Sequence, residues 1–85
     1  MKFHVSSVQR PDLSETDHKR LYAAMQRFYA HIPADVKLDF DLVRADLKGS
    51  FSVLTVPDRA ALDRVLAPFE GLVIIDVQEV TEVAH

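Results

Sequence analysis

The stretch VKLDFDLVRADLKGSFSVLTV, residues 36–56, decides the fold. In its first half Val36, Leu38, Phe40 and Leu42 alternate with charged residues, and this two-residue period is typical of a half-buried strand. The alternation shifts near Val43, which predicts a bulge or a strand end at that residue. The first half therefore predicts a β-strand with one face in the core.

The second half of the stretch adds a turn and another strand. Asp46 to Gly49 has the composition of a hairpin turn, in which Gly49 is free to adopt a positive φ. Ser50 to Val56 then alternates again, with Phe51 and Val53 on the opposite side from the serines. The middle of the chain therefore predicts an antiparallel hairpin.

A helix and a strand are predicted on the N-terminal side of this hairpin. Lys2 to Val8 alternates as a strand, with its aromatic and aliphatic side chains on one face and His4 and Ser6 on the other. A helical apolar stripe follows and ends before Pro33. Either Asp12 or Ser14 can cap this helix, because each has an acidic residue three positions later.

A second helix and a last strand are predicted on the C-terminal side. Asp58 is the expected N-cap of the helix, and Pro68 with Gly71 ends it. Leu72 to Val83 is the predicted final strand. The order β-α-β-β-α-β over residues 1–85 predicts one ferredoxin-like α+β domain, with four antiparallel strands, two helices on one face, and strands one and three at the centre.

The distribution of side chains over the two faces of this sheet predicts a partner. We expect the helices to cover Phe3, Val5, Leu38, Phe40, Phe51 and Val53. The other face would then hold polar residues together with aliphatic ones, among which are Val8, Leu54, Val56 and Ile74. At about 25 cal/mol per Å² of apolar surface, exposure of these four would lose several kcal/mol. We therefore predict a homodimer, or a multiple of dimers, that encloses the polar residues in a cleft.

Composition excludes several other classes of protein. The chain has 85 residues, 48% of them apolar, a formal net charge of −3 and no cysteine. Thiol chemistry and disulfides are absent, which favours the cytoplasm. The acidic balance argues against nucleic acid as a partner, and no apolar run has the roughly 20 residues of a membrane span. We expect neither nucleic acid nor membrane as a partner.

An RNA-recognition domain shares this element order and is the first alternative. Such domains stack bases on aromatic residues of the open face of the sheet. With the faces assigned as above, the corresponding positions of the third strand hold Ser50 and Ser52, and Phe51 points the other way. This assignment argues against RNA binding.

Several short segments resemble a known family. Met1 to Val5, the pair Ser52–Val53 and the segment Glu79–Val80–Thr81 look like the muconolactone isomerases, small proteins of the dimeric α+β barrel superfamily. The middle and C-terminal part of the chain resembles a related group of short bacterial barrel proteins without assigned function. The segments that carry this resemblance are Ala45–Asp46, Gly49–Ser50–Phe51, Ala61–Leu62, Leu66–Ala67–Pro68–Phe69 and Val77. The resemblance implies a dimeric barrel and a proton shift, without a cofactor, on a small lactone, enol or acid.

The polar residues of the predicted cleft supply candidates for such chemistry. His4 is the best proton carrier, because the ordinary pKa of histidine lies near 6.5. Asp41 is predicted as its catalytic partner, with Asp39 as the alternative. Substrate contacts are predicted from Asp39 and from three further residues, Ser6, Arg44 and Ser52, of which Arg44 could hold a carboxylate.

Structural roles remain open for all of these residues. A single histidine on a strand is more often structural, the aspartates can form the solvated side of an edge strand, and Arg44 can pair with Asp46 or Asp76. A non-catalytic domain that only mediates assembly is therefore the second hypothesis. No metal is expected, because the histidines lack ligand spacing: His4, His18, His31 and His85. No cofactor is expected, because no phosphate-cradling loop is present.

Overall fold

The computed structural model describes residues 1–83, and the predicted order of elements is confirmed. The elements are β1 (Lys2–Gln9), α1 (Glu15–Ala30), β2 (Lys37–Val43), β3 (Gly49–Thr55), α2 (Arg59–Leu66), a 3₁₀ turn (Ala67–Phe69) and β4 (Val73–Val80). The last strand is shorter than the predicted Leu72–Val83. The prediction that His85 is not a metal ligand concerns a position outside the described residues.

The four strands form one antiparallel sheet in the order β2-β3-β1-β4. Strands β1 and β3 are central, and both helices pack on one side. This is the ferredoxin-like α+β arrangement that the element order predicts. We call the side beneath the helices the covered face and the opposite side the open face.

Both helices begin at side-chain caps. The Ser14 side chain accepts a hydrogen bond from the backbone N–H of Asp17 at 3.1 Å, so Ser14 and not Asp12 is the cap of α1. Asp58 caps α2 in the same way, accepting from the N–H of Ala61 at 2.8 Å. These bonds satisfy backbone donors that the first turn of a helix leaves free. The caps fix where each helix enters the covered face.

The core of the protein corrects the predicted face assignment of β3. Leu54 and Val56, expected on the open face, are 3% and 2% exposed and lie with Phe3 in the core. The register explains this, because Phe3 pairs directly with Leu54 and paired residues share a face. Phe51, expected beneath the helices, therefore lies on the open face and is 41% exposed.

An irregularity in β2 corrects a second assignment. The β2–β3 register shifts between Leu38 and Phe40. Of the two alternatives predicted near Val43, the strand end is confirmed, because β2 ends at Val43, and the bulge is not. Leu38 pairs with Leu54 of the covered face, whereas Phe40 pairs with Val53 of the open face. The extra residue at the irregularity thus turns Phe40 outwards, where it is 49% exposed.

The hairpin turn places its positive φ at a different residue from the predicted one. Leu47 has φ 64°, and Gly49 already belongs to β3. The absence of a side chain at Gly49 is needed for another reason. A Cβ atom there would lie 2.4 Å from the carbonyl oxygen of Ser7, so β1 and β3 can approach only because this residue is glycine.

Candidate functional site

A cavity of about 130 Å³ lies between the two helices and the covered face. Its wall is mostly apolar and comes from both layers, including Leu21, Met25, Phe28, Leu54, Val65 and Ile75. The exposed side chains of Leu47 and Lys48 also line it, which places an opening beside the β2–β3 turn. Its enclosure by two layers makes this cavity the candidate site for a small ligand.

Three hydrogen-bonded side chains from three elements form one polar part of the cavity region. Tyr29 of α1 donates its hydroxyl hydrogen to one carboxylate oxygen of Asp41 on β2. Ser52 of β3 donates to the other oxygen at 2.8 Å. Tyr29 and Ser52 line the cavity, and Asp41, which is half-buried, binds both of them without lining it. We call these residues the Asp41 cluster.

The register explains how the Asp41 cluster is assembled. Val5, Ser52 and Asp41 lie side by side in one row across β1, β3 and β2. The irregularity at Leu38/Phe40 puts Asp41 in this row, on the covered face. The next row holds Ser7 and Ser50, whose hydroxyl oxygens are 2.9 Å apart. Polar groups thus stand in two adjacent rows of the cavity wall.

The environment of Tyr29 affects its acidity. Partial burial, followed by the hydrogen bond and the negative charge of Asp41, raises the pKa of Tyr29 to about 12. The phenol is therefore protonated near neutral pH and acts as a hydrogen-bond donor to the carboxylate. The Tyr29 side chain is 50% exposed, and within residues 1–83 no buried side-chain nitrogen or oxygen lacks a hydrogen-bond partner.

The structure separates the predicted site residues into three places. Asp41 and Ser52 belong to the Asp41 cluster. His4 and Ser6 lie on the open face, where they pair with Val53 and Phe51 of β3. The predicted pair of His4 with Asp41 is therefore not formed, because the sheet lies between the two side chains.

The other two predicted residues are engaged in surface ion pairs. Asp39 interacts with Lys2 at 3.0 Å and with the hydroxyl of Thr55. The bond from Thr55, followed by that from Lys2, lowers the pKa of Asp39. Arg44 binds Asp46 at 2.7 Å within the β2–β3 turn, which was the structural alternative for this arginine.

The open face carries a band of apolar side chains around its polar centre. Phe40, Leu42, Phe51 and Ile74 are each between 41% and 54% exposed. The register places them on one surface, together with His4, Ser6, Val8, Val53, Asp76 and Gln78. The orientation used above as an argument against RNA binding is thus wrong, since Phe51 does face outwards. The acidic composition argues against nucleic acid independently.

Sequence reasoning missed Tyr29, Ser7 and Ser50 as parts of the site. The seven-residue spacing of Tyr22 and Tyr29 indicates only that they share one side of a helix, and it gives no indication of a carboxylate partner. Ser7 was not assigned a role. The sequence does carry a signal for Ser50. Alternate residues of an extended segment share a face, so the two serines lie on the same face as the two aliphatic residues that follow. These residues are Ser50, Ser52, Leu54 and Val56, and the aliphatic ones are buried.

Two further searches of the structure bear on the kind of site. Residues 1–83 contain no group of three or more histidine, cysteine, aspartate or glutamate side chains arranged to hold a metal ion. In the part of the chain that the structure describes, no helix has the length and hydropathy needed to span a bilayer.

Comparison with known proteins gives a family without an activity. A family model described as "Domain of unknown function (DUF3303)" matches residues 1–85. No curated protein matches the sequence. The function must therefore be argued from the geometry of the cavity and of the open face.

Proposed function

We propose that this chain, which belongs to the DUF3303 family of domains of unknown function, acts through the cavity between its helices and its sheet. The protein binds a small organic molecule between the helices and the sheet. The observation that supports this proposal is the mostly apolar cavity with the hydrogen-bonded Asp41 cluster at its wall. Apolar walls with a few oriented polar groups are the usual composition of small-molecule sites.

The volume of the cavity limits the size of the ligand. A dry engineered protein cavity of about 150 Å³ binds benzene. The cavity here measures about 130 Å³ and reaches the surface near Leu47, so one ring with a small substituent fits. Larger substituents would have to extend through the opening.

The proposed chemistry is a proton transfer on a lactone, enol or acid of this size, as in a cofactor-free isomerase or cyclase. The hydroxyl oxygen of Ser52 or Tyr29 accepts the ligand proton while its own hydrogen moves to Asp41. Atoms and charge balance, because the carboxylate becomes neutral as the ligand becomes an anion. In this proposal Asp41 keeps the catalytic role expected from the sequence, whereas His4 has none, because it lies on the other face.

Two neighbouring serines provide a matched test of where the ligand binds. Ser7→Leu adds bulk to the cavity wall, and Ser6→Leu makes the same change on the open face. We expect one-ring lactones, enols and acids, screened by ligand-detected NMR, to bind wild type and to lose binding in Ser7→Leu. Loss in Ser6→Leu or His4→Ala, with binding retained in Ser7→Leu, would contradict the cavity and favour the open face.

We also propose that the open face binds a second copy of this chain, which gives a dimeric barrel. Leu54 and Val56, two of the aliphatic residues that the predicted dimer would cover, are core residues of one chain. Phe40, Leu42 and Phe51 replace them, since they are exposed on one surface. Among the charged groups on this face, Lys2 and Asp39 neutralise each other, so this pair does not make two copies repel each other.

Light scattering over a dilution series tests this association. We expect wild type to be a dimer or a multiple of dimers, and Phe51→Lys to be a monomer. Tyr22→Lys is the matched control, because Tyr22 is 63% exposed on α1, away from the sheet, and we expect it to associate as wild type does. A wild-type monomer at all concentrations would contradict self-association and favour the alternative of an accessory domain for a different partner.

The absence of cysteine supports a cytoplasmic location, which we propose on that basis alone. Fractionation of cells that produce the tagged chain tests it. Recovery outside the cytoplasmic fraction would contradict this part of the proposal.

A further inference from the structure

We infer that the cavity selects a neutral one-ring ligand that donates a hydroxyl or enol proton, and that it rejects carboxylates. This inference rests on the proposed function and narrows its substrate class from lactone, enol or acid to ligands with an enolic hydroxyl, of which phenol is the aromatic analogue. The feature that supports it is the direction of the hydrogen bonds in the Asp41 cluster.

The direction follows from the donors and acceptors that each group has. An ionised carboxylate can only accept hydrogen bonds, so both hydroxyls must donate to Asp41. Each hydroxyl has a single hydrogen, and the bond to the carboxylate uses it. What remains on the oxygens of Tyr29 and Ser52 is acceptor capacity. This part of the wall therefore accepts hydrogen bonds from a ligand and offers none.

The serine pair in the adjacent row adds only one hydrogen-bond donor to those that the wall offers to a ligand. Ser7 and Ser50 are within hydrogen-bond distance, so one hydroxyl donates to the other and a single hydrogen remains free. A carboxylate ligand needs several donors to replace its lost water. In these two rows it would find one free hydrogen, and the negative charge of Asp41 lies beside Ser52 in the neighbouring row. A ligand hydroxyl, in contrast, can donate to the Tyr29 or Ser52 oxygen.

Lys48 is the positive group that could reverse this preference. It lines the cavity at the opening, where its side chain is exposed to solvent. A solvated ammonium attracts an anion weakly, since water screens the interaction. We therefore expect the hydroxyl acceptors and Asp41 to dominate the selection, and a Lys48 variant belongs in the test.

Three one-ring probes of similar size separate these possibilities: phenol, anisole and benzoate. Phenol can donate, anisole can only accept, and benzoate is an anion near neutral pH. We expect NMR titration of wild type to show anisole about tenfold weaker than phenol, the value of one hydrogen bond. Benzoate should bind at least about a hundredfold more weakly than phenol, because its charge loses solvation without donors.

Asp41→Asn tests the origin of the selectivity. The amide group of asparagine donates to one of the two hydroxyls, which frees a hydroxyl hydrogen for the ligand. We expect the preference for phenol over benzoate to fall by about tenfold or more in this variant, since one donor is gained and one negative charge is removed. Asp39→Asn is the matched control, because it makes the same change on the other side of the sheet, and it should keep the wild-type ratio.

The outcomes distinguish the inference from the function on which it rests. Binding of anisole or benzoate as tight as that of phenol would overturn the selectivity and leave the cavity as a binding site. Benzoate binding that Lys48→Ala abolishes would overturn it in favour of an anion site at the opening. If none of the three probes shifts the resonances of cavity residues, the proposed function fails, and the selectivity fails with it.

Discussion

The two faces of the sheet are built in opposite ways. Around the cavity, the covered face includes four hydroxyl or carboxylate side chains, and they bond to one another or to Tyr29. The open face presents two phenylalanines to solvent around His4 and Ser6. Polar groups beneath the helices thus have hydrogen-bond partners, whereas the phenylalanines of the open face have no element packed over them. The polar groups of the covered face are thus satisfied within one chain, and the open face is the one on which we propose that a second copy binds.

Replacement of one phenylalanine on each face tests the comparison most strongly. Phe3→Ala removes a side chain that is 3% exposed, and we expect it to lower the free energy of unfolding by about 3–5 kcal/mol. Phe51→Ala removes one that is 41% exposed, with an expected loss below about 1 kcal/mol at concentrations where monomers dominate. Urea denaturation measures both. Equal losses would mean that the open face is covered within one chain.

The contact between β1 and β3 gives the next largest effect. In Gly49→Ala the new methyl group meets the carbonyl oxygen of Ser7, so the two strands must separate, and we expect a loss of about 1–3 kcal/mol in unfolding free energy. Gly71→Ala is the matched control, since φ is +80° there but no atom lies within 4 Å. We expect a loss of about 1 kcal/mol from backbone strain alone. A smaller loss for Gly49→Ala than for Gly71→Ala would contradict the close approach.

The pKa of Tyr29 reports on the Asp41 cluster of the covered face. Its value of about 12 lies above the ordinary value of 10.0, so the folded state favours the protonated phenol. The resulting stability is fully present below pH 10 and is lost as the pH rises through about 12. Asp41→Asn removes the acceptor charge and should lower this pKa. Absorbance titration of the tyrosinate measures it, with Tyr22→Phe used to remove the signal of the second tyrosine. An unchanged Tyr29 pKa in Asp41→Asn would contradict the cluster.

The smallest effect is expected at the ion pair beside the open face. Bonds from Thr55 and Lys2 lower the pKa of Asp39, so its contribution to stability is present above the ordinary value of 3.8 and is lost as the pH falls below it. Asp39→Asn should change the thermal midpoint slightly at neutral pH and not at all in acid, where the native carboxyl is also neutral. Added salt should reduce the difference. A difference that persists in acid would indicate a role for Asp39 other than its charge.

The order and type of the elements could be predicted from the sequence because each has a strong local signal. The period of two in Val36–Leu42, the caps at Ser14 and Asp58, and Gly71 act within a few residues of the chain. These signals gave the ferredoxin-like order. They do not depend on which strand lies next to which.

The faces of the sheet could not be predicted with the same rules. In β3 both series of alternate residues contain apolar side chains, Phe51 with Val53 and Leu54 with Val56, so local hydrophobicity does not choose between them. Which series of β3 is buried depends on the long-range pairing of this strand with β1, where Leu54 pairs with Phe3. In β2 the face of each residue depends on an irregularity one residue long. The predicted site therefore combined residues from both faces.

The alternation of β3 gives one short segment two separate roles in succession. Ser50, Ser52 and Leu54 line the cavity, while Phe51 and Val53 belong to the surface that we propose for self-association. Substitutions at even positions can therefore alter ligand preference without changing assembly, and substitutions at odd positions can do the reverse. A deletion of one residue would exchange the two sets at once and would harm both properties. Substitutions in this strand can thus change ligand preference or assembly separately, whereas an insertion or deletion of one residue changes both together.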